Sequence, residues 1–274
     1  MELLLSDSLS VGFVGFGQMG AAIAQSIHSS FPSYTLVAVE SNMDRQSWIQ
    51  NECAYITLAS YEDLFRQCHV VFLAIKPQHV HELSKDIHPF VTPEHCLISM
   101  LAGVSYGTCS ELFQPAKMVR VMPNTPAKLS KGVTGIYFSD ELDKVMVQQV
   151  MALCDCFGTT IQVKNDHDMD VITAISGSGP AFFYRMVDAF INFGVASGLN
   201  ESLVKDAVIQ TMIGAGHMLL DDPNPMEQIQ RVASPNGTTQ AGLEVMDQKE
   251  FDTLMSDVLH RAYNRAVELS KERK

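Results

Sequence analysis

Val11-Gly12-Phe13-Val14-Gly15-Phe16-Gly17-Gln18-Met19-Gly20 is a short apolar run followed at once by a complete G-x-G-x-x-G pattern. The apolar periodicity from Met19 to Ile27 then predicts a helix, so the glycines sit where a buried strand turns into a helix. In that setting Gly15 permits the tight turn, Gly17 lets the backbone approach a pyrophosphate, and Gly20 allows close packing of helix on strand. The helix start adds unpaired N–H groups and a partial positive charge that favour phosphates. A cluster of turn glycines without a ligand is the plainer alternative; the strand, loop and helix order favours dinucleotide binding.

Outward from this turn, β-rich runs alternate with helical stretches. Leu36–Val39, Val70–Ala74, Cys96–Ser99 and Met118–Val121 read as buried strands, with helices over Tyr61–Arg66 and Gln78–Ile87. Strands this apolar, separated by helices, indicate a parallel sheet covered on both faces. The fold class is therefore α/β, a doubly wound, mainly parallel Rossmann sheet. Gly132–Phe138 and Thr159–Val163 add two further strands around a helix over Asp143–Phe157.

Past Lys164 the texture changes: helical periodicity takes over and strand signals vanish. The chain is expected to divide into a dinucleotide-binding domain, residues 1–164, and an all-helical domain, residues 165–274. Helices are predicted over Met169–Ser176, Pro180–Gly194, Glu201–Leu220, Met226–Ala233, Thr239–Asp247 and Phe251–Lys271, with Gly and Pro between them. The helix from Pro180 carries Phe182, Phe183, Phe190, Ile191 and Phe193, apolar nearly all round. Such a helix must be buried by something, here a second subunit.

Composition narrows the function. The 274 residues carry a net charge of −12, which speaks against nucleic acid as a partner, since phosphate backbones need a basic surface. No apolar run is long enough to span a membrane. The start Met1-Glu2-Leu3-Leu4-Leu5-Ser6-Asp7 has an acid where a signal peptide would be basic, so a cytoplasmic protein is expected. The six cysteines are scattered without a Cys-x-x-Cys, as for buried reduced thiols and not for a disulfide framework or zinc site. His79, His81, His88 and His217 have no acidic partner at ligand spacing and read as surface or packed residues; no metal is expected.

The end of the second strand bears on the choice between nicotinamide cofactors. Glu40, about twenty residues past Gly20, stands where an acid would hydrogen-bond a ribose 2′-hydroxyl and repel a 2′-phosphate. Ser41, Asn42 and Arg45 follow, and they could surround a 2′-phosphate if Glu40 points away. The expectation is use of both NADH and NADPH with some preference for NADH. Ala74-Ile75-Lys76-Pro77 and Ala102-Gly103 follow strand C-termini, where an open α/β sheet binds its ligand; Lys76 is equally readable as a solvated loop lysine.

Three later segments are dense in small polar residues yet adjoin apolar helices: Met122-Pro123-Asn124-Thr125-Pro126-Ala127, Ser176-Gly177-Ser178-Gly179-Pro180-Ala181 and Ser234-Pro235-Asn236-Gly237-Thr238-Thr239. In the last, Ser234 or Asn236 with Thr238 and Thr239 offers hydroxyls and unpaired N–H groups, a combination that binds carboxylates. An ordinary helix N-cap accounts for it equally well.

Together with the glycine turn, Ala74–Pro77, Ala102-Gly103-Val104 and Arg120-Val121-Met122, these segments resemble the pyrroline-5-carboxylate reductase family, in the family's order over nearly the whole length. The resemblance implies reduction of 1-pyrroline-5-carboxylate to L-proline with hydride from NADPH or NADH, the last step of proline biosynthesis. It implies a homodimer through the helical domain, often the unit of a homodecamer. Carried over by position, Ser234, Gly237 and Thr238 hold the substrate carboxylate, with Asn236 in the same loop, and Thr239 bonds the ring nitrogen as the catalytic residue. The cofactor contacts implied are Gly15, Phe16, Gly17, Gln18, Met19, Gly20, Glu40, Ser41, Asn42, Ser60, Ala74, Ile75, Lys76, Pro77, Ala102 and Gly103. Glu40, Ser60 and Leu101 differ from residues frequent in the family, and Asn236 replaces a common glycine, a change suited to a position with φ above zero.

Two other readings compete with this one. A β-hydroxyacid-type dehydrogenase resembles this architecture but uses a lysine and an asparagine one turn on in the helix after the domain junction, and Gly179–Met186 contains neither. A noncatalytic NAD(P)-binding protein has no need of a carboxylate loop. Hydride addition to a C=N bond needs neither metal nor nucleophile, and it leaves an amine, a better proton acceptor than an alkoxide, so no strong general acid is nominated.

Overall fold

The computed structural model describes residues 8–139 and 142–272; the acidic start Met1–Asp7 lies outside them. Eight strands form one sheet in the order β3-β2-β1-β4-β5-β6-β7-β8. They are β1 (Ser10–Val14), β2 (Thr35–Val39), β3 (Ile56–Leu58), β4 (Val70–Leu73), β5 (Cys96–Ser99), β6 (Lys117–Pro123), β7 (Gly132–Phe138) and β8 (Gly158–Gln162). All neighbours are parallel except β6 and β7. That pair can be antiparallel because only the short turn Thr125–Leu129 joins it, too little chain for a crossover.

The strands read as continuous apolar runs because alternate residues enter different cores. Val70 and Phe72 join Phe13, Ile23, Ile27 and Ile98 on one face; Val71 and Leu73 join Val14, Leu83, Ile87 and Leu97 on the other. Helices α1 (Gln18–Ser30), α2 (Met43–Glu52) and α6 (Lys144–Asp155) cover the first face. Helices α3 (Tyr61–Gln67), α4 (Val80–Ile87) and α5 (Tyr106–Leu112) cover the second. Each fully buried Phe, Leu or Ile here contributes roughly 1.5–3 kcal/mol.

Three elements carry too little apolar periodicity to be read in advance. β3 is three residues long, α2 buries only Ile49 and α5 only Cys109. The two helices are signalled by caps: Asn42 accepts from Arg45 N–H, and Ser105 from Thr108 N–H. Five cysteines are buried and Cys156 is half-buried, all reduced. Burial pushes the thiols of Cys68 and Cys96 up to about 12. His95, for which the sequence carried no signal, is buried between Thr92 N–H, 2.9 Å from Nδ1, and the Phe65 carbonyl, 2.9 Å from Nε2.

The later helices are α7 (Asp166–Ile172), α8 (Gly179–Ala196), α9 (Glu201–Asp221), α10 (Pro225–Val232), α11 (Thr238–Gln248) and α12 (Phe251–Glu272), with a π-helical turn over Thr173–Gly177. By contacts one compact unit runs to Ser178 and is joined by the segment from Ala262 onward. The reason is local packing: Met169 is fully buried with Met122 and Val163, and Ile172 packs against them. Tyr263 hydroxyl and His167 Nδ1 lie 3.0 Å apart.

The second unit is Gly179–Arg261. A methyl group at Gly194 would meet Val204 Cγ1 at 2.6 Å, so glycine there lets α8 and α9 pack closely. Phe183, Phe190 and Phe193 on α8, and Leu203, Ile213 and Leu220 on α9, are exposed in the single chain. Among the described residues no helix is long and apolar enough to cross a membrane.

Candidate functional site

The glycine turn is built around close approaches. Gly15 has φ +82°, its N–H donates to the Val39 carbonyl at 2.8 Å, and a Cβ there would lie 2.9 Å from the Ala74 carbonyl oxygen. At Gly20 a Cβ would stand 3.3 Å from both Ala74 Cβ and the Gly15 carbonyl oxygen, so α1 rests against the end of β4. Gly17 differs: nothing lies within 4 Å of its would-be Cβ, which points into open space. The first two glycines serve the protein's own packing, and the third leaves backbone accessible to a ligand. Gly17 is the N-cap of α1, and the first helical bond runs from Ala21 N–H to the Gly17 carbonyl. The first-turn N–H groups of Gln18, Met19 and Gly20 precede it.

Beside the turn lies a cleft of 510 Å³ at the C-terminal ends of β1, β2 and β4. Its walls are the glycine turn, Val39–Asn42, Tyr61 and Ala74–Lys76, with Glu82 and Asp86 reaching in from α4. Phe16 enters it by backbone only, because its ring is buried edge-on against Phe13 at 5.7 Å. Met19 packs on the core, and Pro77 opens a 3₁₀ turn behind Lys76. The Ser60 hydroxyl caps α3, accepting from Asp63 N–H at 3.1 Å and donating to Asp63 Oδ2 at 2.8 Å. Tyr61, which sequence reasoning passed over, is the residue of that turn that lines the cleft. Its phenol is pushed up by burial, and then by Asp86, Glu40 and Glu82.

Glu40 does not point away. Its Oε2 accepts from Phe16 N–H at 2.8 Å and its Oε1 from Asn42 N–H at 2.9 Å. Arg45 turns toward the glycine loop: Nε donates to the Phe16 carbonyl at 2.7 Å and Nη2 to the Gly17 carbonyl at 3.3 Å, and the guanidinium lies 3.7 Å over the Trp48 ring. Ser41 is exposed at the rim.

At the next strand end Gly103 has φ +68°, and Ala102 packs against the cluster of Met122, Val163 and Met169. Nearby, Asn124 is buried, donates to the Ser176 carbonyl at 2.9 Å and accepts from Val133 N–H at 2.8 Å. Two of the polar segments read in the sequence are thus joined by one side chain.

The third polar segment lies in the other compact unit. Asn236 adopts φ +60°, the left-handed conformation, and its N–H donates to Gln240 Oε1 at 2.8 Å. Gly237 N–H donates to the Ser234 carbonyl at 2.9 Å, and a Cβ at Gly237 would run into Ser234 Oγ. Gly237 is the N-cap of α11, whose first helical bond comes from Ala241 N–H. An ordinary capping side chain is therefore missing, and the N–H groups of Thr238, Thr239 and Gln240 begin the helix without one. Ser234 and Thr238 are exposed and Thr239 half-buried. Among the described residues no group of three or more His, Cys, Asp or Glu is placed to hold a metal ion.

Residues 166–269 match the family described as pyrroline-5-carboxylate reductase dimerisation, and residues 10–103 match that described as NADP oxidoreductase coenzyme F420-dependent. The chain is 30% identical over 265 residues to the pyrroline-5-carboxylate reductase of Pseudomonas aeruginosa, covering 96% of this chain and 97% of that protein. To that of Staphylococcus aureus strain COL it is 33% identical over 273 residues, covering 94% and 97%. Among solved structures it is similar to the Plasmodium falciparum pyrroline carboxylate reductase with NADP bound, at 27% identity and a TM-score of 0.84, covering 96% and 98%.

Proposed function

Since this chain belongs to the pyrroline-5-carboxylate reductase family, we propose that its two sites reduce 1-pyrroline-5-carboxylate to L-proline with NADH or NADPH. The observation that carries the reading is the pair of helix starts. α1 opens on Gly17 beside the cleft, and α11 opens on Gly237 without a capping side chain. The first suits a pyrophosphate and the second a carboxylate.

The glycine turn, Glu40–Asn42 and Ala74–Lys76 hold the cofactor, with Ala102 and Gly103 leaving room at the next strand end. The open space at Gly17 fits a pyrophosphate laid against the backbone. When bound, the dihydronicotinamide supplies the hydride. The Ser234 hydroxyl and the Thr238 N–H fix the substrate carboxylate, and so the ring, in a loop that the Gly237 N–H shapes by donating to the Ser234 carbonyl. The Thr239 hydroxyl orients the ring nitrogen, and solvent or the incoming substrate supplies its proton. Orientation is the chief contribution of these residues, since a near-attack geometry replaces an encounter from solution.

Substrate and cofactor are both anions, while the chain carries −12. Attraction is therefore local, from the two helix starts and Lys76, and not from the overall field. Residues 165–274 supply the substrate loop and the subunit interface, with exposed Phe183, Phe190 and Phe193 covered in a homodimer that can assemble into a decamer. The setting is the cytoplasm.

Incubating the purified protein with pyrroline-5-carboxylate and each cofactor, and following cofactor absorbance and proline, tests the reading. Cofactor oxidation matched by proline supports it; no proline with either cofactor overturns it.

A further inference from the structure

Resting on the proposed reduction, the geometry points to a cofactor choice made within this chain: Glu40 and Arg45 together select NADH over NADPH. A relative holds NADP, so the architecture admits the 2′-phosphate, and discrimination has to come from residues of the β2–α2 turn.

Glu40 stands where an acid meets the ribose 2′-hydroxyl in this fold. Its carboxylate is fixed from two sides, by Phe16 N–H at 2.8 Å and Asn42 N–H at 2.9 Å. The Glu40 carbonyl is held as well, accepting from Gln46 Nε2 at 2.5 Å. Swinging the charge aside for a phosphate would leave two N–H groups without their acceptor. Each carboxylate oxygen keeps a lone pair after accepting one bond, so the ribose hydroxyls still find acceptors. A 2′-phosphate brings up to two negative charges against that carboxylate. Glu82 and Asp86 line the same cleft, and Tyr61 registers the combined negative field of all three acids.

Arg45 is the cation of this turn that could offset them, and it is already engaged. Its Nε and Nη2 hold the Phe16 and Gly17 carbonyls, and its guanidinium plane stacks on Trp48 at 3.7 Å. Reaching a phosphate would give up both hydrogen bonds and the stack. Arg45 is thus a positioning residue: it braces the loop whose Phe16 N–H fixes Glu40. The two side chains hold residue Phe16 through the peptide groups on either side of it, the acid on its N–H and the base on its carbonyl.

Titration of the full chain with NADH and NADPH, followed by calorimetry without substrate, tests this directly. Kd for NADPH is expected to be about tenfold or more weaker than for NADH, the scale of like-charge opposition at a binding site. Equal affinities, or tighter NADPH, overturn the inference. Glu40→Gln removes the charge and one of the two acceptors that Phe16 N–H and Asn42 N–H use, so NADH should weaken while NADPH loses less or gains, lowering the preference for NADH about tenfold. An unaltered NADH to NADPH ratio in this variant also overturns it. Arg45→Met should weaken both cofactors in parallel; selective loss of NADPH would make Arg45 a phosphate ligand and defeat the assignment. Should a variant fail to fold, the wild-type ratio alone decides. Turnover separates the two claims: no proline with either cofactor defeats the proposed reaction, whereas proline formed with NADPH favoured defeats only the cofactor choice.

Discussion

Arg120, 1% exposed on β6, donates from Nη1 to Asp166 Oδ1 at 2.5 Å, joining the sheet to the first turn of α7. Both Asp166 oxygens also accept from Tyr106 N–H, at 3.0 and 3.1 Å, so the same carboxylate serves the start of α5. Asp170 completes the group, with Oδ1 at 3.5 Å from Nη2. A buried guanidinium between two acids makes three elements interdependent.

Arg120→Met should therefore destabilise the protein by about 3 kcal/mol, toward the low end for breaking a buried pair because Asp166 is about one third exposed. Urea denaturation reads this as a lower midpoint with an unchanged slope. A midpoint equal to that of the wild type would mean the pair adds nothing to stability.

Asp170 supplies a pH dependence. Burial raises its carboxyl above the ordinary range, and Arg120 only partly opposes this. The folded state thus holds the proton more tightly than the unfolded state, so this contribution is complete below the ordinary carboxylate pKa and fades as pH rises through the raised value. Relative to Asp170→Asn, the wild type should lose stability as pH rises from about 4. A stability difference flat across pH 4 to about 7 would exclude this titration.

Gly15→Ala and Gly17→Ala should separate folding from binding. The first places a methyl 2.9 Å from the Ala74 carbonyl oxygen at φ +82°, and left-handed strain alone costs about 1–2 kcal/mol. Its Tm should fall. The second puts the methyl into open space, so Tm should hold while NADH affinity weakens. Thermal unfolding and cofactor titration on the two variants check the contrast.

Thr239→Ala is expected to lower kcat/KM for pyrroline-5-carboxylate by about tenfold to a hundredfold, the scale of one lost hydrogen bond of roughly 1.5–3 kcal/mol. Cofactor Kd should not move. Steady-state kinetics identical to the wild type would place the ring-nitrogen contact elsewhere.

The aromatic face of α8 predicts an oligomer. Phe190 and Phe193, 63% and 76% exposed in the single chain, should be covered by a second copy. Sedimentation of the wild type should report a dimer or larger. Phe193→Glu should shift it toward monomer, since burying an unpaired charge is unfavourable. A wild-type monomer at micromolar concentration would dispose of this interface.

The glycine turn, the alternating strands and the long helices were legible because each depends on local periodicity or on a backbone need that glycine alone meets. Gly132–Phe138 and Cys96–Ser99 fall at the predicted bounds for that reason. β3, α2 and α5 were not, since a three-residue strand or a helix burying one residue carries no period. Motif position placed Asn236 at a site suited to φ above zero, and it adopts +60°.

Periodicity in residues 10–14 and 18–30, with the glycines between, determined that a dinucleotide-type turn would form, because strand, turn and helix start are contiguous in sequence. Only the tertiary structure decided where side chains distant in sequence would point. Glu40 is twenty-four positions from Phe16 and Arg45 twenty-nine, yet both bond the backbone of that one residue. Composition leaves it open whether an acid followed by a basic residue repels or receives a phosphate; the hydrogen bonds that fix Glu40 and engage Arg45 settle which way each side chain faces.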